Sequence, residues 1–253
     1  METELQITKE LKIIGTSLYL KKHNALAIAD VHIGYEESLN KQGILIPRLQ
    51  FQQTMKRLDN LINLTLKTNK QHRLDLIIIN GDLKHEFGTI SETEWRQTLK
   101  FLDFLAAKTK KIILIKGNHD TIIKPIAEKR NIEIAAEFMI GDYYFCHGDK
   151  IPKTEAFKKA KTIIIGHEHP AITFKMDSRE ERFKCFLFGR YMRKNLIVLP
   201  AFNPLVEGTD VLEKNHMSPF LRQSIKNFEV YVVSEKILHF KKVKDIEKVI
   251  SNA

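Results

Sequence analysis

At 253 residues and 43% hydrophobic content, evenly spread, the chain is long enough to bury a substantial core. No apolar run approaches the roughly 20 residues that a membrane helix needs, and Met1-Glu2-Thr3-Glu4-Leu5 lacks the regions of a signal peptide, so the cytoplasm is the expected compartment. A formal net charge of +10 favours polyanionic partners such as nucleic acid, with a lysine-rich solvating surface as the plainer account.

In chain order, Leu11 to Ile14 and Leu18 to Leu20 predict a hairpin, followed by a strand from Ala25 to Ala29. Gly43 and Pro47 mark a loop. Leu58, Leu61, Ile62, Thr65 and Leu66 recur at helical spacing, which predicts an amphipathic helix over about 48–68. A strand is expected at 76–80. Ser91-Glu92-Thr93-Glu94 has the capping-box pattern and opens a helix through Trp95, Leu99, Leu102 and Ala106, with Trp95 on the core side. A strand at 111–116 and a short helix near 121–130 follow. Ile132 to Met139, the Gly141-Asp142 pair and Tyr143 to Cys146 read as a hairpin with a two-residue turn. A helix around 153–160 precedes a strand at 162–165. The remainder is mostly β: 172–176, 183–188, 195–199, 228–233 and 237–243. Helix-interleaved strands first and meander-like strands last predict an α/β fold of two packed mixed sheets flanked by helices. With no repeat or linker, one domain over 1–253 is the simplest expectation. Cys146 and Cys185 do not suggest a disulfide framework, and Cys146, inside an apolar strand, is expected as a buried free thiol.

Five of the apolar runs share one design. Each breaks into polar residues: Asp30-Val31-His32, Gly81-Asp82, Gly117-Asn118-His119-Asp120, His147-Gly148-Asp149 and Gly166-His167-Glu168-His169. Ligands in open α/β sheets bind beyond the carboxyl ends of strands, so five such ends suggest one polyvalent site. Any single histidine is as well explained as a satisfied core or surface residue, and that reading is applied to His23, His72, His216 and His239. Five accidents in a consistent order are a different matter. Carboxylates, imidazoles and an amide without thiolates form a borderline-hard donor set. Seven or eight such donors exceed the needs of one tetrahedral ion and fit two ions sharing a bridge. His85 and Glu86, just after Asp82, either support that set or sit as surface polar residues, and are left outside it.

These ordered motifs resemble the signature of the calcineurin-like metallophosphoesterases. The flanking Gly43-Ile44-Leu45-Ile46-Pro47-Arg48 and Leu199-Pro200-Ala201-Phe202-Asn203-Pro204 are similar to a narrower branch. That branch holds the archaeal SbcD-like phosphoesterases and the bacterial endonucleases associated with DNA ligase or helicase. The resemblance implies that Asp30, His32, Asp82 and His169 hold one metal, and that Asp82, Asn118, His147 and His167 hold the other. His119 would face the substrate as general acid or transition-state stabiliser, with Asp120 orienting its imidazole.

Two divalent ions with two aspartates and one hydroxide leave a net charge of about +1, suited to a phosphodiester anion. Such a pair, typically ~3.5–4 Å apart, lowers the pKa of bound water and clamps the phosphoryl oxygens. Mn²⁺ is the metal the resemblance favours, with Fe²⁺, Zn²⁺, Co²⁺ and Ni²⁺ compatible with the donors. The expected activity is DNA phosphodiester hydrolysis, endonucleolytic, in DNA repair beside a helicase or ligase, through an open cleft that lacks extra capping segments. Hydrolysis of a small phosphoester (a cyclic nucleotide or nucleotide-sugar pyrophosphate) is the alternative. An inactive interaction scaffold is the reading from another class. Oligomeric state is not legible in the sequence.

Overall fold

In the computed structural model, residues 3–176 and 179–246 are described. Strands β1 (Glu4–Gln6), β2 (Leu11–Ile14), β3 (Ser17–Leu20) and β4 (Ala25–Ile28) run antiparallel, each to the next. Helices α1 (Tyr35–Lys41) and α2 (Gln50–Thr68) lead to β5 (Leu74–Asn80), and α3 (Glu92–Lys108) leads to β6 (Thr109–Ile115). Helix α4 (Lys124–Glu128) leads to β7 (Glu133–Ala135). β4, β5, β6 and β7 are mutually parallel and complete a seven-stranded sheet in sequence order.

The second sheet begins with β8 (Glu137–Ile140) and β9 (Tyr143–Cys146), then α5 (Glu155–Lys159) and β10 (Thr162–Ile165). It continues through β11 (Pro170–Met176), β12 (Arg179–Tyr191), β13 (Lys194–Val198), β14 (Thr209–Asp210), β15 (Glu229–Val233) and β16 (Ile237–Lys242). Its strand order is β14-β11-β12-β13-β10-β9-β8, with β15 and β16 attached through β12. β9, β10 and β13 are parallel neighbours and β11 pairs in parallel with β14, while the other pairings of the sheet are antiparallel. This is an α/β sandwich of two mixed sheets with helices outside.

Alternation along the strands divides the apolar residues among three layers, because successive side chains point to opposite faces. Ala25, Ala27, Ile78 and Ile113 of the first sheet meet Phe145, Ile164, Phe186 and Ile197 of the second in the middle layer. Leu26, Ile28, Ile77, Ile79 and Leu114 face the other way, onto Leu58, Leu61 and Ile62 of α2 and Phe101, Leu102 and Leu105 of α3. Cys146, Ile163, Ile165, Leu187 and Val198 cover the far face with Phe157 of α5 and Phe220. The central strands are therefore apolar on both faces, which is why they read as continuous runs. Cys146 and Cys185 are buried free thiols. Among the described residues, no helix is long and apolar enough to cross a membrane.

The structure departs from the sequence reading in three places. The run from Ile132 to Met139 is not one hairpin arm: β7 pairs with β6 in the first sheet, while β8 pairs with β9 in the second. The chain changes sheets at Ala136, and only the half after that point forms the hairpin around Gly141-Asp142. At Ser91 the side chain accepts from the Glu94 amide as a cap should, but Glu94 does not return the bond. Its carboxylate accepts instead from the amides of His85 (2.7 Å) and Glu86 (3.0 Å). Helix α1, opened by Gly34 at φ +94°, lies in a stretch before Gly43 for which the sequence predicts no element.

Candidate metal centre

The carboxyl ends of β4, β5, β6, β9 and β10 meet at one rim of the sandwich, and their turns are tied to each other by backbone bonds. Asp30 N donates to Gly81 O at 3.2 Å, His32 N to Asp82 O at 2.9 Å, and Gly166 N to His147 O at 2.8 Å. The two sheets join where His167 N donates to Asp30 Oδ2 at 3.0 Å. His119 N donates to Asp82 Oδ1 at 2.9 Å, so β6's turn reads the β5 carboxylate directly.

Backbone strain is concentrated here. Asp30, His32, Asp82, His167 and His169 have φ of +54°, +45°, +45°, +65° and +49°, in the left-handed region that side-chain-bearing residues seldom adopt. Such strain persists where the surroundings over-determine it, and it clusters at functional sites. The glycines explain how the donors come close. A Cβ on Gly81, itself at φ +88°, would sit 1.9 Å from His147 Nδ1, and one on Gly117 would sit 2.1 Å from Asp82 Oδ1.

Two donor sets result. His147 Nε2 lies 2.9 Å from Asn118 Oδ1, 3.1 Å from His167 Nδ1 and 3.3 Å from Asp82 Oδ2. His169 Nε2 lies 3.4 Å from His32 Nε2 and 3.5 Å from Asp30 Oδ1, and His32 Nε2 is 3.8 Å from Asp82 Oδ2. Asp82 belongs to both. Donors about 2.1 Å from one cation stand about 3.0–3.4 Å apart, so the His147 set has the spacing of a coordination shell and the His169 set is slightly wider.

The electrostatics favour a cation. Asp30 and Asp82 are buried carboxylates, at 0% and 2% exposure, facing only imidazoles and amides. Burial alone would raise Asp82, but its hydrogen bond and charge interaction with His147 hold it below the usual carboxylate range. Burial lowers His147, yet Asp82 and Asp30 outweigh it and carry the imidazole up to about 9. A proton on His147 thus stands in for positive charge that the carboxylates call for. His32 is pushed well below its usual value by burial and by His169, and His167 is lowered by burial and by His147.

Residues 23–223 match the model of the family described as calcineurin-like phosphoesterase. The chain belongs to that family. This calcineurin-like phosphoesterase is therefore a phosphoester hydrolase of a family that works with divalent metal ions. Its fold resembles that of the Pseudomonas putida nuclease MPE at 19% identity and a TM-score of 0.65, covering 95% of this chain and 100% of that one. It is also similar to a Vps29 single mutant from Entamoeba histolytica (11% identity, TM-score 0.33, 86% and 99% covered). A third likeness is to vacuolar protein sorting 29 from Cryptosporidium parvum (14%, 0.38, 86% and 97%). No curated protein sequence matches.

The residues of this phosphoesterase fit a metal pair. Asp30 Oδ1 and His147 Nδ1 are buried without a hydrogen-bond partner, an expensive condition for a carboxylate in the interior. The Asp30, His32, His169 and the Asp82, His147, His167 side chains form two compact donor clusters, and Asn118 Oδ1 adds a neutral oxygen to the second.

His119 sits beside the donors, its ring 4.8 Å from that of His32, with Nδ1 against the carbonyl of His85. Asp120 does not orient it. The Asp120 carboxylate is fully buried and accepts from the amides of Leu83, Lys84 and Gly117, at 3.3, 3.2 and 3.0 Å, locking the β5 and β6 turns together. His85 is closer to the centre than its neighbours in sequence indicate: Nδ1 is 3.3 Å from His32 Nδ1, and its ring stacks on His119 at 5.2 Å. Burial and the nearby His119 lower it to about 4.

Supporting residues outside the expected donor set lie behind the rim. Asn203, fully buried, donates from Nδ2 to Val31 O (3.0 Å) and His32 O (3.1 Å). The Pro200–Pro204 segment holding Asn203 is secured by Lys184, whose Nζ donates to the carbonyls of Ala201 and Asn203. Glu168, between two donor histidines, accepts from Ser218 N at 2.7 Å and faces His216 Nδ1 at 3.1 Å. His216 is accordingly a satisfied histidine with a largely covered side chain.

Proposed function

We propose that this calcineurin-like phosphoesterase hydrolyses phosphodiester bonds in DNA, cutting within a strand, with two Mn²⁺ ions. The observation that carries the reading is the pair of donor sets joined at Asp82, with a lysine-bearing cavity on one side and Arg182 on the other. On the Asn118 and His147 side a cavity of about 520 Å³ is lined by Lys116, Lys150 and Lys153, with Asp149 and Glu137 among them. On the His169 side a groove of about 480 Å³ is lined by Tyr35, Arg182 and Glu207, the last two 3.9 Å apart. A strand laid across the rim would meet cations on both sides of the scissile phosphate, in keeping with the net charge of +10.

In this mechanism Asp30, His32 and His169 would hold one cation, Asn118, His147 and His167 would hold the other, and Asp82 would serve both. When bound, the pair supplies Lewis acidity, making water acidic enough to attack near neutral pH and neutralising phosphoryl oxygens. The protein's own residues supply position. The backbone bonds among the five turns fix the donors before substrate arrives, so little reorganisation is left for the reaction. His119, pinned through Nδ1 on the His85 carbonyl, presents Nε2 to the departing oxygen and protonates it, a contribution on the order of 10²–10⁴ in rate. A role in DNA repair beside a helicase or ligase is supported by the likeness of segments 43–48 and 199–204 to the ligase- and helicase-associated branch.

The test is incubation of the Mn²⁺-loaded protein with closed circular single-stranded DNA, beside a bis-aryl phosphodiester. Linearisation of the circle supports endonucleolytic cutting. Resistance of the circle with digestion of linear strands would make the enzyme an exonuclease. Hydrolysis of the aryl ester alone, unaffected by salt, would point to a small phosphoester instead.

A further inference from the structure

Phe87 is an apolar ring in the wrong place for a folded core. It is 57% exposed, yet its centroid lies 3.8 Å from that of His119, the residue nearest the reacting phosphate in the mechanism above. Solvent-exposed aromatics on loops are commonplace when the loop is loose. This loop is fastened along its length. Glu94 accepts from the amides of His85 and Glu86, and Gly88 N donates to Thr121 Oγ1 at 3.2 Å. The buried Lys84 ammonium donates to the carbonyls of Glu86 and Thr89, and Lys41 Nζ bonds Glu86 Oε1 at 2.6 Å. A buried lysine and a buried glutamate thus both hold the 85–89 loop that carries one exposed ring.

That ring heads a row. His119 stacks on His85 with an interplanar angle of 27°, and His85 meets Tyr35 at 4.6 Å, where the groove beside His169 begins. Four rings in sequence line one side of the metal centre, and Phe87 offers the outermost free face.

We propose that Phe87 is a stacking platform for a nucleobase adjoining the scissile phosphate, so that the site takes unpaired nucleotides. This rests on the phosphodiesterase reading above and names the part of the substrate that reading leaves open. A flat apolar face beside the phosphate gains from a base and gains nothing from the sugar-phosphate backbone alone. Bases within a duplex have no free face to offer, so single strands, loops and flaps are the matching substrates. Base–aromatic stacking of this kind changes binding by about 5- to 150-fold on alanine substitution.

The experiment is a binding cycle by fluorescence anisotropy, with Ca²⁺ in place of Mn²⁺ to limit cleavage, using a labelled thymidine hexanucleotide and an abasic phosphodiester chain of the same length. Wild type should bind the hexanucleotide about 5- to 150-fold more tightly than Phe87→Ala does, and Phe87→Trp should retain the affinity. On the abasic chain the three proteins should bind alike. Phe87→Leu, which keeps the apolar bulk, should resemble the alanine variant. Equal binding of the hexanucleotide by wild type and Phe87→Ala overturns the platform, as does an equal loss on both ligands, which would mark Phe87 as structural. Should wild type bind no oligonucleotide while hydrolysing the bis-aryl ester, the nucleic-acid reading fails and the platform with it. The two failures are therefore distinguishable.

Discussion

Asp82 is the single side chain on which both donor sets depend, and it is buried with a carboxylate held in its charged form by His147. Asp82→Asn keeps the shape and removes the charge and one acceptor. Turnover with Mn²⁺ should fall to background while the circular dichroism spectrum is unchanged; retained activity would remove the bridge from the scheme. His119→Ala should behave differently. The maximal rate should drop by a factor on the order of 10²–10⁴, with metal content by elemental analysis still near two ions per chain. Fewer ions would make His119 a ligand. The chemical identity of these residues was legible because each follows an apolar strand and a glycine or tight turn. Their directions were not. Asp120 follows His119 immediately, yet its carboxylate turns inward to three backbone amides while the imidazole meets the His85 carbonyl. Adjacency in sequence places two side chains near each other without saying which way either points.

Among the elements, the loops matter more than the strands. Asn203 bonds the carbonyls of Val31 and His32, so it fixes the backbone that aims two donors from the first sheet. Asn203→Ala leaves the buried Val31 carbonyl without its donor, while Tyr35 N and Gln50 Nε2 still donate to that of His32, at a cost of about 1–3 kcal/mol. A lower melting temperature in metal-free protein, with metal affinity weakened about 10- to 100-fold, is the expected outcome by calorimetry. An unchanged midpoint and affinity would show that the turn holds its own shape. The strands and the long helices were legible from period alone, α2 and α3 most clearly, since Leu58, Leu61, Ile62 and Thr65 all face inward. Where tertiary pairing competes with local pattern, the sequence is mute. The change of sheet at Ala136 leaves no mark in composition, and Glu94 leaves its own helix cap to hold the His85 loop.

For the whole molecule, the middle apolar layer keeps the two sheets in register so that their polar ends coincide. A ligand that binds only the folded state stabilises it by mass action, about 2.7 kcal/mol at a hundred times its dissociation constant. Adding Mn²⁺ to protein stripped with a chelator should therefore raise the melting temperature, and renewed chelation should reverse the gain. Absence of any shift with Mn²⁺, Fe²⁺ or Zn²⁺ would contradict a metal centre at this rim. The two-sheet architecture was readable from the order of helix-linked and meandering strands, whereas which strand ends would lie side by side depended on pairings remote in the chain.

Each donor set draws on both halves of the sequence: Asp30, His32, Asp82 and Asn118 come from turns of the first sheet, and His147, His167 and His169 from turns of the second. During synthesis, then, a nascent chain that has not yet emerged past His167 has neither coordination shell complete. Uptake of the ions becomes a late event that certifies a finished assembly, and truncated or misdocked chains are left metal-poor.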